Sequence, residues 1–117
     1  MNSRIDKVNS SLSKCIANTI NYKLNDPRVQ GIITITSLET STDLSSCKIK
    51  LSIMEDDKEK RQEILKVIQN SAGFIKSEIK KSVKMWVIPY LKFSIDEGMD
   101  NALRVEELLK QIKVENN

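Results

Sequence analysis

Ser71-Ala72-Gly73-Phe74-Ile75-Lys76 decides the fold of this 117-residue chain, because it interrupts a helical pattern that exists on both of its sides. Upstream, from about Asp57 to Asn70, Ile64, Leu65 and Ile68 point inward, while Lys58, Lys60, Arg61 and Lys66 lie outward or near the ends. Downstream, Ala72, Ile75, Ile79 and Val83 share one side at about 100° per residue. Gly73, Lys76, Ser77, Lys80, Lys81 and Lys84 occupy the other side. Two helices meeting at a kink of small residues are therefore predicted, with the glycine on the lysine side.

Working outward, Pro89 closes the second helix, and Leu91, Phe93 and Ile95 alternate as a strand. Leu103 or Val105, Leu108, Leu109 and Ile112 then predict a short terminal helix capped near Asp100. Toward the amino terminus, Cys47, Ile49, Leu51 and Ile53 alternate with Lys48, Lys50, Ser52 and Met54, the mark of a half-buried strand. Ile32 to Leu38 is rich in β-branched residues and predicts another strand, antiparallel to it across a loop longer than a tight hairpin. The first element is a helix: Ser3 with Asp6 makes a capping-box start, and Ile5, Val8, Leu12, Ile16 and Ile20 follow at helical steps. Asp26-Pro27 should stop it, since proline disfavours helical geometry before it and lacks an N–H to donate. The order is α-β-β-α-(kink)-α-β with a three-stranded sheet and an appended helix, a single α+β domain spanning residues 1–117.

Composition narrows the function. The chain is 39% apolar and 30% charged, with clear periodicity, so one folded core is expected and no stretch suits a membrane span. It has no histidine, and Cys15 and Cys47 are too far apart for a paired metal motif, which removes zinc sites and the usual nucleophile–histidine arrangements. The acids fall in surface-like runs such as Glu55-Asp56-Asp57 and Glu106-Glu107. No catalytic residue, metal or cofactor is expected. The start lacks the apolar core of a secretory signal, so a cytoplasmic protein is expected.

A formal net charge of +3 is modest, but its distribution is uneven. Residues 1–30 and 58–92 carry excess bases, while residues 31–57 and 93–117 carry excess acids. Lys76, Lys80 and Lys84, with Lys81, form a basic stripe beside the small-residue kink. Such a kink lets another backbone come close, and the first turn of the new helix offers unpaired N–H groups at the positive end of its dipole, a natural place for phosphate. A plainer reading stands beside this one: Gly73 as a packing or hinge residue and the lysines as a solubilising face. Arg4, Lys7 and Lys14 extend the positive surface if the first helix packs beside it. Arg28 serves equally well as a contact to RNA or as a local partner of Asp26. None of the five aromatic residues lies in the first two predicted strands, so recognition should rest on phosphates, sugar edges and shape more than on base stacking. Trp86 and Phe93 are expected as core anchors.

The element order, Asp26-Pro27-Arg28, Thr42-Asp43-Leu44, Ser71-Ala72-Gly73-Phe74-Ile75-Lys76 and Pro89-Tyr90-Leu91-Lys92-Phe93 together resemble the bacterial ribosome-binding factor A family over nearly the whole chain. The resemblance implies a type II KH-like fold in which an Ala-x-Gly interruption replaces the usual GxxG loop. Here Ser71 stands in the alanine position; it is small, and its hydroxyl can bond the freed backbone. The resemblance also implies a non-catalytic, monomeric assembly factor. It would bind the free 30S subunit and its 16S rRNA, assist late maturation including the 5′-end region, support growth in the cold, and be released by a GTPase. Its expected RNA contacts are Ser71, Ala72, Gly73, Lys76, Lys80, Lys81 and Lys84, with Arg4, Lys7 and Arg28 as auxiliaries. The competing readings are a generic KH-like module for some other RNA, and a protein-docking module using the Leu108, Leu109 and Ile112 stripe.

Overall fold

A computed structural model describes residues 3–29, 33–85 and 87–98. The predicted terminal helix and Trp86 lie outside these residues. Helix α1 runs over Ser3–Asn18 and continues as a π-turn over Thr19–Lys23. Strands β1 (Ile33–Thr40) and β2 (Ser46–Ile53) follow, then α2 (Lys58–Asn70), α3 (Ala72–Ser82) and β3 (Tyr90–Ile95). The order matches the sequence reading through β3.

The sheet has the order β1-β2-β3, with β1 antiparallel and β3 parallel to β2. Parallel pairing needs a long crossover, and the two helices α2 and α3 supply it. α1 packs on β1, α2 on β3, and α3 touches both of the other helices. Leu12, Ile16, Ile49, Leu51, Ile68, Ile75 and Ile79 are all fully buried, and Leu91 and Phe93 join them. Alternation leaves Lys48, Lys50 and Lys92 exposed on the opposite side of the strands. Cys47 is buried, which pushes its thiol up from the ordinary value, and Cys15 is partly buried; both are free.

Three details depart from the sequence reading. The α-helical part of α1 ends at Asn18, well before Pro27. Thr19 Oγ1 donates to the Cys15 carbonyl at 2.7 Å, and the Leu24 N–H reaches back to the Thr19 carbonyl at 3.0 Å, opening the ladder by one residue. Arg61 is buried rather than outward, because it lies one turn before Ile64 and Leu65 on the same stripe. Lys84 is not on α3 at all: the helix stops at Ser82, and Val83 is extended with φ −118° and ψ 130°. Val83, Met85 and Ile88 pack partly against the core, so the chain must leave the helix early to carry them back toward β3.

The Thr42-Asp43-Leu44 loop is held by its own side chains. The Asp43 carboxylate accepts from Ser45 Oγ and Ser41 Oγ, each at 2.7 Å, and these bonds, the Ser45 one first, hold its carboxyl below the usual range. Leu44 sits at φ 61°, a left-handed conformation uncommon outside glycine and asparagine. The loop ends against β3, where the Tyr90 N–H donates to the Ser45 carbonyl at 2.9 Å.

Candidate nucleic-acid interface

The kink is a joint of one residue. Ser71 has φ −91° and ψ 7° and serves both as the C-cap of α2 and the N-cap of α3. Its N–H donates to the Val67 and Ile68 carbonyls, its Oγ donates to the Val67 carbonyl at 2.7 Å, and its own carbonyl accepts from the Ile75 N–H. The serine hydroxyl thus adds a second bond to a carbonyl that the Ser71 N–H already meets, and does not take up a freed group as its position suggested. Breaking the ladder here costs on the order of 1 kcal/mol per lost bond. Ile68 and Ile75, fully buried on either side of the joint, each contribute on the order of 2 kcal/mol, so the core enforces the break.

Gly73 lies exposed in the first turn of α3, and a Cβ placed on it would meet nothing within 4 Å. The protein's own packing therefore does not require the glycine. What the missing side chain leaves open is the outer surface of the joint, beside the first-turn N–H groups of α3. Ala72 is half-buried and packs partly on the core.

Two open grooves flank the joint. One, of about 480 Å³, is bounded by Gln69, Ala72 and Lys76 from the helices and Tyr90, Lys92 and Phe93 from β3. The other, of about 320 Å³, is bounded by Asp26, Arg28, Glu63, Lys66, Asn70 and Ser71. Arg28 and Ser71, distant in sequence, thus share a groove. Arg28 also has its local role: Nε and Nη2 grip the two oxygens of Asp26 at 3.0 and 2.8 Å, and Nη1 stands 3.9 Å from Glu63. The guanidinium, and then the Arg28 backbone N–H, hold the Asp26 carboxyl down at about 2.

The lysines divide. Lys76 is half-buried, with Nζ 5.7 Å from the centroid of the Tyr90 ring. Lys80, one turn on, is exposed on the same face. Lys81 is exposed but bonds the buried Glu78 carboxylate at 3.3 Å, which Lys23 holds from the other side at 2.8 Å. The Lys23 ammonium is the chief cause that keeps Glu78 below the usual carboxylate range, and Glu78 in turn raises Lys23. Lys84 is exposed, beyond the end of the helix. Arg4 and Lys7 are exposed on α1, but it is Lys23, roughly 25 Å further along the rod, that reaches α3.

Lys66, Lys92 and Tyr90 are absent from the contacts expected on sequence. The signal for the last two is present there, since alternation with Leu91 and Phe93 turns Tyr90 and Lys92 outward. Among the described residues, no group of three or more His, Cys, Asp or Glu side chains is placed to hold a metal, and no helix is long and apolar enough to cross a membrane.

A helix–joint–helix crossover on a three-stranded sheet, with its open surface at the joint, defines a KH-like α+β domain. Residues 4–109 match the model of the family described as ribosome-binding factor A. A ribosome-binding factor A from Desulforamulus reducens is 38% identical over 112 residues, covering 96% of this chain and 92% of that protein. One from Thermodesulfovibrio yellowstonii is 36% identical over 110 residues, covering 94% and 91%. The chain belongs to the ribosome-binding factor A family. Among solved structures, the crystal structure of ribosome-binding factor A from Thermus thermophilus shares the fold with a TM-score of 0.66 at 19% identity, covering 78% of this chain and 94% of that one. A Thermus thermophilus ribosome binding factor A homology model, fitted into a cryo-electron-microscopy map of a 30S complex, gives 0.62 at 18% identity, covering 75% and 90%.

Proposed function

We propose that this chain is a single-domain, non-catalytic assembly factor that binds the free small ribosomal subunit through 16S rRNA. The observation that carries this reading is the Ser71 joint, where an uncovered glycine surface and helix-start N–H groups lie beside Lys66, Lys76 and Lys80. Membership in a family named for ribosome binding, and the fitting of a relative's homology model into a 30S complex map, support the same partner.

In this reading Ser71, Ala72 and Gly73 let the RNA backbone approach α3, and Lys76 and Lys80 neutralise its phosphates. Lys81, Lys84 and Arg28 contribute from the rim, and Arg4 and Lys7 reach more distant rRNA. The factor acts as a cytoplasmic monomer without cofactor. It assists late maturation and 5′-end processing of the rRNA, including during cold adaptation, and leaves with the help of a GTPase.

Sedimentation with separated ribosomal particles over a salt series tests the reading. The protein should be retained on free small subunits in preference to large subunits, assembled ribosomes and unrelated RNA. With about six phosphates neutralised, affinity should fall by roughly a thousandfold between about 50 and 200 mM salt. Equal retention on every particle would mark a generic RNA-binding module instead.

A further inference from the structure

The groove between the joint and β3 holds more than positive charge. Tyr90 is 61% exposed at its rim; Tyr22 and Phe74 are exposed as well, so it is the lysines around Tyr90, not its exposure, that set it apart. Its backbone is pinned: the N–H bonds the Ser45 carbonyl, the residue pairs with Ser46 on β2, and the preceding Pro89 is fully buried. The strand that carries the ring is therefore fixed, while the ring itself stands open to solvent. Lys76 stands over it, Lys92 follows it on the same strand face, and Gln69 anchors the far end by donating to the Phe93 carbonyl at 3.1 Å.

We infer that this groove is a pocket for one unpaired nucleotide of the bound RNA, its base stacked on Tyr90 and its flanking phosphates met by Lys76 and Lys92. The inference rests on the proposed partner and deepens it by naming a feature of that partner. An aromatic face takes any base, and a cavity of about 480 Å³ lies in the size range of small-ligand sites. A paired duplex hides its base faces within the stack, so a fully paired segment cannot use the ring. Stacking thus joins phosphate contact in recognition, through a residue of the third strand and not the first two.

The test compares wild type with Tyr90→Phe, Tyr90→Leu and Tyr90→Ala. The ring is exposed, so thermal melting should be unchanged in all three. Affinity for free small subunits should fall between about fivefold and about 150-fold for Leu and Ala, and stay within about twofold of wild type for Phe. In parallel, nuclear magnetic resonance should show the Tyr90 ring protons shifting on addition of a short two-strand RNA duplex with one bulged nucleotide, and not with the same duplex fully paired. Wild-type affinity in the Leu variant, or equal shifts with both duplexes, would overturn the pocket while leaving subunit binding intact. Loss of wild-type retention on small subunits would overturn the proposed partner instead, and the duplex comparison would still decide the pocket.

Discussion

Two helical runs in this domain are broken, and the same bond appears at both breaks. Thr19 Oγ1 donates to the carbonyl four residues back at 2.7 Å, and Ser71 Oγ does likewise at 2.7 Å. Their surroundings differ. Thr19 is 1% exposed, and its π-turn hands the chain to inward-facing partners. There the Asn21 side-chain amide pairs with both backbone groups of Ile33, accepting at 3.0 Å and donating at 2.9 Å, while Lys23 meets the buried Glu78. Ser71 is half exposed and is followed by a glycine with nothing over it. A hydroxyl bonded to the previous turn tells only that a helix deviates. What surrounds the deviation tells whether it rivets the fold or opens a surface.

Substitutions separate the two breaks. The largest effect is expected at the outward one: Lys76→Ala with Lys80→Ala should weaken binding to small subunits by roughly tenfold to a hundredfold and lower the salt slope by about two, with melting unchanged. An unaltered slope would remove both lysines from the interface. At the inward break, Asn21→Ala leaves the Ile33 N–H and carbonyl without their partner. It should cost about 2 kcal/mol and roughly 10 °C of melting temperature, read by chemical and thermal unfolding, without changing the affinity of the folded fraction.

Gly73→Ala moves the two readouts in opposite directions. Helix propensity should raise stability by about 0.5 kcal/mol, since the new methyl meets nothing. Binding should weaken severalfold, because the methyl occupies the surface that an RNA backbone would approach. A variant that is more stable and binds as well as wild type would return the glycine to a purely structural role.

The smallest effect concerns acid. The Asp26 carboxyl is lowered from 3.8 to about 2 by Arg28, so the stability it contributes is complete above pH 4 and is lost as pH falls toward 2. Asp26→Asn should remove that contribution at neutral pH, flatten this part of the stability curve and bring the variant level with wild type as pH approaches 2, as followed by acid titration of unfolding. Asp26 is on the surface, so solvent screening keeps the change small.

Much of this architecture is readable from residue order. The alternation from Cys47 to Ile53 and the stripes around Ile68 and Ile75 each depend on side chains within a few positions, so β2, α2, α3 and the break between them are legible. What is not legible depends on distance or on where the chain must go next. Lys84 continues the spacing of Lys76 and Lys80, yet Val83 leaves the helix to pack on the core. Glu78 reads as one acid among lysines; its burial depends on Lys23, 55 positions away. Arg28 reads as divided between Asp26 and RNA, and only the fold brings it to the same groove as Ser71.

The extra residue in the π-turn has a consequence for helical phase. Forcing the same residues into a regular α-helix, without the wide turn, would rotate everything after Thr19 by up to about 100° relative to Leu12 and Ile16. Lys23 would swing away from Glu78, leaving that buried carboxylate to Lys81 alone, and the start of β1 would lose its amide splice. The widened turn works as a one-residue shim that keeps two differently timed faces of the same rod aligned.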